Sequence, residues 1–149
     1  MKKNIQYRYT NIFLVSSNII EPRVSDINEA IGGQPIKIQT ETSYDKDTNE
    51  CFLDIRVMLQ SKLTNEELID VRLRSSFIIK GIEAEDIDKE ENIGILETLV
   101  SLSYSSTRGY LASLLTNYRY KDKVFLPVVP PKKLIEKKAK ENKDVEKKS

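Results

Sequence analysis

The spacing of apolar residues changes once in this chain, at Asn92, and that change limits the folds open to it. Before Asn92 apolar residues recur at every second position, the period of a half-buried strand; after it they recur every third or fourth, the period of a helix buried along one stripe. Four strand-like segments precede the change. In the first, Tyr7 and Tyr9 alternate with Gln6, Arg8 and Thr10, then Ile12-Phe13-Leu14-Val15 continues as a more buried run that Pro22 limits. In the second, Ile36 and Ile38 alternate with Lys37 and Gln39 behind a Gly32-Gly33 turn, with Pro35 suited to a strand's opening position. The third sets Leu53, Ile55, Val57 and Leu59 against Asp54, Arg56 and Gln60, after a polar hairpin signal at Asp45 to Asn49. The fourth sets Ile69, Val71 and Leu73 against Asp70, Arg72 and Arg74. It then turns apolar on both faces at Phe77, Ile78 and Ile79, which predicts a strand running beneath another element.

From Asn92 onward, Ile93, Leu96, Val100, Tyr104, Thr107, Leu111, Leu114 and Tyr118 form one helical stripe, long enough for about seven turns. On a neighbouring face Ser101, Ser105, Gly109 and Ser113 recur every four residues. Glycine inside a helix costs about 1 kcal/mol relative to alanine, so Gly109 predicts a closely packed partner, and a second copy of the chain fits that role. Pro127, Pro130 and Pro131 then stand among Phe125, Leu126, Val128 and Val129, which predicts an extended apolar crossover. From Lys132 to Ser149 there are eight lysines, four acids and only Leu134, Ile135, Ala139 and Val145 as apolar anchors. Residues 1–135 are therefore expected to form one domain, and 136–149 a flexible charged tail.

Composition removes several functions. The chain has no histidine, the usual neutral-pH proton carrier and the commonest metal ligand. Its single cysteine, Cys51, forms no intrachain disulfide and no thiolate cluster, as expected of a reducing compartment. Cys51 has no base to activate it, nor have Ser105 and Ser106. The carboxylates Glu83, Glu85, Asp86, Asp88, Glu90 and Glu91 lack the glycine and ligand spacing of a calcium loop and read as a solvated segment leading into the helix. No catalytic residue, metal or cofactor is expected. With 24 basic and 23 acidic residues the net charge is +1; removing the +4 carried by Lys132 to Ser149 leaves a mildly acidic body at −3. No apolar run approaches the roughly 20 residues of a membrane span, and Met1-Lys2-Lys3-Asn4 leads straight into a strand-like segment rather than a signal sequence. A cytoplasmic protein without membrane insertion is expected. The tail lysines Lys132, Lys133, Lys137, Lys138, Lys140, Lys143, Lys147 and Lys148 raise nucleic-acid binding as an alternative of another class. Interspersed Glu136, Glu141, Asp144 and Glu146, and the lack of aromatics, make nucleic acid an unexpected partner.

The order of four antiparallel strands, long helix, proline-containing crossover and short helix resembles the SecB family of export chaperones over about Ile5 to Leu134. The phrase Phe77-Ile78-Ile79-Lys80-Gly81-Ile82-Glu83 is similar to the family's Phe-Ser-Ile-Ala-Gly-Ile-Glu. Arg108, Ser113 and Pro127-Val128 fall in register on a helix arginine, a helix serine and a Pro-Val pair of the family. The chain departs from the pattern at Asn117-Tyr118, where the family has Arg-Gly, and in its lysine-rich tail, where the family's is often acidic.

What the resemblance implies is an α+β fold, a four-stranded antiparallel sheet packed with one long helix and a short C-terminal helix. It also implies a homotetramer, a dimer of dimers joined through the face of Ser101, Ser105, Gly109 and Ser113. The implied activity is that of a non-enzymatic, ATP-independent holdase for unfolded polypeptides. Its groove would run between the sheet and the crossover, lined by Phe77, Ile79, Tyr120, Phe125, Leu126, Val128 and Val129, with Leu134 and Ile135 on a lid helix. From the residues alone these positions read as core. Delivery of clients to the motor SecA would use Leu68 and Asp70, matching a Leu-x-Glu sequence of the family. Residues 1–20, however, contain no acid, whereas the family's first strand adds carboxylates to that contact. The alternative is the narrower role of some SecB-like proteins, as dedicated chaperone of the antitoxin in a toxin–antitoxin pair.

Overall fold

A computed structural model describes residues 4–135; the tail expected at 136–149 lies outside the described residues. The elements in chain order are β1 (Gln6–Ile19), a single helical turn α1 (Asn28–Ile31), β2 (Lys37–Asp45), β3 (Glu50–Gln60), β4 (Glu67–Lys80) and the long helix α2 (Ile93–Leu114). Short 3₁₀ turns occur at Ala84–Asp86, Glu90–Asn92 and Leu115–Asn117, and residues 131–135 are helical. The four strands form one antiparallel sheet in the order β1-β4-β3-β2, so the expected α+β architecture is present.

Period-2 alternation produces two unlike sheet faces. One face of β3 and β4 carries Leu53, Ile55, Val57, Leu59, Ile69, Val71, Leu73, Phe77 and Ile79, all buried. Across this face lies α2, whose Leu96, Leu99, Val100, Tyr104 and Leu111 complete the core. Two buried polar residues on that stripe are satisfied within the helix: Ser103 Oγ donates to Leu99 O at 2.8 Å and Thr107 Oγ1 to Ser103 O at 2.8 Å. Edge strand β1 extends the core through Tyr9, whose ring lies 4.5 Å from that of Phe77 and whose hydroxyl pairs with Ser75 Oγ at 2.6 Å.

The expected hairpin at Asp45 to Asn49 joins β2 to β3. Asn49 adopts φ 54°, a conformation asparagine tolerates. Its side chain also donates to Ile79 O and Ile82 O and accepts from Ala84 N, so one residue turns the hairpin and secures the end of β4. The structure differs from the periodicity in four places. The run Ile12-Phe13-Leu14-Val15, expected to be more buried, is not, because β1 is an edge strand: Phe13 is 40% and Val15 43% exposed. The acidic segment after β4 is not fully solvated, because its two 3₁₀ turns bury Ala84 and Ile87. The turn α1 was not visible in the pattern, since only Ile27, Ala30 and Ile31 anchor it. Ile93, at the head of the predicted stripe, is 38% exposed, and the buried stripe of the helix starts at Leu96.

The SecB-like phrase ends at a backbone constraint. Gly81 leaves β4 with φ +100°, and a Cβ there would lie 2.5 Å from Asn4 O and 3.1 Å from Ile5 Cα. Both conformation and space demand glycine. Gly81→Ala is expected to lower unfolding stability by about 1–3 kcal/mol, read as a lower urea midpoint with an unchanged m-value.

Candidate functional site

Beyond the 3₁₀ turn at its end, α2 leads into a segment held at its root by Arg119 and Tyr120. The Arg119 guanidinium donates to Pro22 O, Val24 O and Ser25 O, and its backbone N–H to Glu21 Oε1 at 2.6 Å. Tyr120 is fully buried and donates its hydroxyl to Ile20 O; burial raises its pKa well above the usual phenol value. From this root residues 124–130 run extended along α2. Two helix side chains hold them by their carbonyls: Tyr104 Oη donates to Pro127 O at 2.5 Å, and Arg108 Nε to Leu126 O at 3.2 Å.

Holding the backbone fixes where its side chains point. Val124 and Leu126 turn into the core, as does Leu134 in the following helix, while Phe125 is 64% and Val128 81% exposed. Val129 and Ile135 are half-buried. On the solvent side a groove of about 350 Å³ separates the crossover from α2, lined by Ser105, Arg108, Gly109, Ala112, Phe125 and Leu126 among others. The small-residue face and the crossover, two separate features of the sequence, therefore share one groove. Ser101, Ser105, Gly109 and Ser113 are all exposed, and among the described residues nothing beyond the adjacent residues and the helix's own backbone lies within 4 Å of the position a Cβ on Gly109 would take.

Several expected client-binding residues are placed otherwise. Phe77 and Ile79 lie on the core face of β4, fully covered, and Tyr120, Leu126 and Leu134 are buried too. They belong to the core; of the expected client-binding residues, Phe125 and Val128 are the strongly exposed ones. Leu68, expected at a motor contact, is completely buried at the start of β4. Asp70 is held by Arg56, which donates from Nε to Oδ1 at 2.8 Å and from Nη2 to Oδ2 at 2.7 Å.

That pair belongs to a charged network on the sheet face opposite α2. Asp54, only 3% exposed, accepts from Arg72 and Arg74 on β4, and Arg72 also reaches Glu41 on β2 at 2.8 Å. Arg74 additionally lies over the Phe52 ring, 5.5 Å from its centroid. The Asp54 hub was not foreseen, because alternation assigns a face without showing which cations converge on it. Among the described residues no group of three or more histidine, cysteine, aspartate or glutamate side chains is placed to hold a metal ion. No helix among them is long and apolar enough to cross a membrane.

A four-stranded antiparallel sheet covered by one long helix, which continues through an extended apolar segment into a short terminal helix, is the SecB-like chaperone fold. The chain is similar in structure to the SecB-like chaperone Rv1957 of Mycobacterium tuberculosis, solved in complex with a ChAD peptide from the HigA1 antitoxin. The TM-score is 0.61 over 83% of this chain and 90% of that one, at 13% sequence identity. A protein of unknown function from Streptococcus agalactiae matches 83% of this chain and 98% of its own, with a TM-score of 0.45 and 10% identity. No protein-family model and no curated protein sequence matches the chain.

The Arg56 guanidinium holds the Asp70 carboxyl below its ordinary value of 3.8. A depressed carboxyl stabilises the fold above its unfolded pKa and loses that contribution as the pH falls through the folded one. The stability difference between wild type and Asp70→Asn is therefore expected to be complete at about pH 6 and to shrink below the ordinary 3.8, as measured by urea titrations across that range.

Proposed function

We propose that the protein is an ATP-independent holdase chaperone that captures apolar segments of unfolded polypeptides along the crossover. One observation carries this reading: Phe125 and Val128 stand in solvent on a backbone that Tyr104 and Arg108 hold in place. A pinned extended segment loses little conformational freedom when a client docks, so burial of its side chains is spent on affinity. It also presents apolar area with no fixed side-chain code, which suits many sequences. The SecB-like fold supports the same reading.

Magnitude then bears on assembly. Full burial of a large apolar side chain yields about 1.5–3 kcal/mol, so Phe125 and Val128 together supply about 3–6, before association costs, where a millimolar affinity corresponds to about −4 kcal/mol. One groove binds weakly, and several linked grooves on one long client bind tightly. A homotetramer, formed through the exposed Ser101, Ser105, Gly109 and Ser113 face, would provide them. We place the protein in the cytoplasm, as its lone Cys51 and the fold suggest.

A second reading has its own support. The SecB-like neighbour carries an antitoxin peptide, and the contacts for a motor are poor here: Leu68 is in the core, Asp70 is engaged by Arg56, and residues 1–20 lack acids. A dedicated antitoxin chaperone is therefore favoured over delivery to SecA.

Replacing Phe125 and Val128 together by serine is expected to leave stability within about 0.5 kcal/mol and to weaken suppression of aggregation of a chemically unfolded client by about tenfold or more. Undiminished suppression in a light-scattering assay without nucleotide would count against the groove. Separately, Gly109→Leu is expected to reduce the assembled mass seen by multi-angle scattering while the circular dichroism spectrum stays unchanged; an intact tetramer would remove this face from the interface.

A further inference from the structure

We propose that the crossover groove prefers apolar client segments flanked by acidic residues. The inference rests on the holdase reading and adds the chemistry of its client. Between residues 118 and 135 the chain carries five cations and one acid, Asp122. Lys121 and Lys123 immediately precede the exposed Phe125, and Lys132 and Lys133 follow Val128. All four lysines are exposed, and their ammonium groups meet no carboxylate among the described residues. Arg108 adds a fifth cation in the groove wall, fixed there by its bond to Leu126 O.

The contrast with the outer sheet face is what gives these charges meaning. There Arg56, Arg72 and Arg74 are each matched to Asp70, Asp54 or Glu41 at 2.7–2.9 Å. At the crossover the four lysines meet no carboxylate among the described residues, and they stand on both sides of its strongly exposed apolar pair, Phe125 and Val128. Residues two apart in an extended chain are separated by at most about 7 Å, and the Debye length at physiological salt is about 8 Å. Charges a few residues outside the apolar centre of a docked client therefore lie within range of the lysines. Because cations stand at both ends, an acidic-flanked segment is favoured in either direction, and a lysine-flanked one is repelled. Exposed pairs of this kind contribute modestly to affinity and strongly to encounter rate and salt dependence.

The test uses the full-length protein and three labelled peptides sharing the apolar centre Leu-Phe-Val-Leu, flanked at each end by two glutamates, two glutamines or two lysines. Fluorescence anisotropy at low salt is expected to rank them in that order. The glutamate and lysine peptides should differ by about tenfold, narrowing to about twofold near 0.5 M salt. Exchanging Lys121→Glu and Lys123→Glu together should erase or invert the ranking. Equal affinities for the three peptides would overturn the preference while leaving the holdase reading intact; failure of all three to bind would overturn both. A single-stranded oligothymidylate that binds as tightly as the acidic peptide, together with peptide binding unmoved by Phe125→Ser, would overturn the proposal in favour of a general polyanion site.

Discussion

The exposed apolar row of the crossover exists because buried side chains on the same segment hold its backbone against α2. Val124, Leu126 and Leu134 are inserted in the core, each contributing about 1.5–3 kcal/mol. The bonds from Tyr104 to Pro127 O and from Arg108 to Leu126 O add about 1 kcal/mol apiece. Hydrophobic burial thus supplies most of the attachment, and the hydrogen bonds set the register. Both bonds are accepted by carbonyls, and Pro127, Pro130 and Pro131 have no N–H to offer. An extended apolar segment with free amides would recruit further strands. With prolines at these positions it presents side chains and little of an edge.

The same separation of duties appears across the sheet. Its inner face is apolar apart from Ser75, which pairs with the Tyr9 hydroxyl, and its outer face is an array in which Asp54 joins Arg72 and Arg74 while Asp70 joins Arg56. Burying a carboxylate is costly unless it is paired, and such pairs contribute less to stability than hydrophobic residues of equal volume. Their better-supported role is register. A one-residue slip of β3 against β4 would turn Asp54 toward the hydrocarbon face and leave both arginines without their anion.

The strand pattern and the long helix were legible because burial on one face leaves a simple period, and the hairpin because Asp45 to Asn49 has few other conformations open to it. Short elements escaped: α1 and the 3₁₀ turns around Ala84–Asp86 and Glu90–Asn92 hold too few apolar positions to show a period. The crossover was legible in location, but which of its side chains face outward was not. Phe77, Ile79, Tyr120, Leu126 and Leu134 are as apolar as Phe125 and Val128 but face inward. The inward positions Val124 and Leu126 are two apart, a strand-like alternation that would have marked Phe125 as outward, but Pro127 interrupts it before it can be read with assurance. Asp70 was visible as an acid on the solvent face; its engagement depends on Arg56 reaching it diagonally, since its direct neighbour across the ladder is Met58.

Gly109 remains the residue whose local cost is least repaid within a single protomer. Among the described residues nothing outside the helix's own backbone and the adjacent residues approaches the place its side chain would occupy, and the surrounding Ser105, Ala112 and Ser113 are exposed as well. Edge strand β1 poses a similar problem, with Phe13 and Val15 each about two-fifths exposed and Arg8 the only charge between Gln6 and Ile19. Isolated soluble proteins protect long edges with charge or proline and cover helix faces with long polar side chains; this chain places only Arg8 on the first surface and Arg108 beside the second. Its charge is concentrated instead in the outer sheet network, the acidic approach to α2 and the lysines around the crossover. On the proposed reading the small-residue face and the β1 edge would meet other copies, and the crossover with its lysines would make contacts that form and release. Under the same proposed reading, weak single-groove capture and assembly through the small-residue face would follow from one distribution of side chains, because a groove too weak to hold a client alone becomes effective when several are presented on one body.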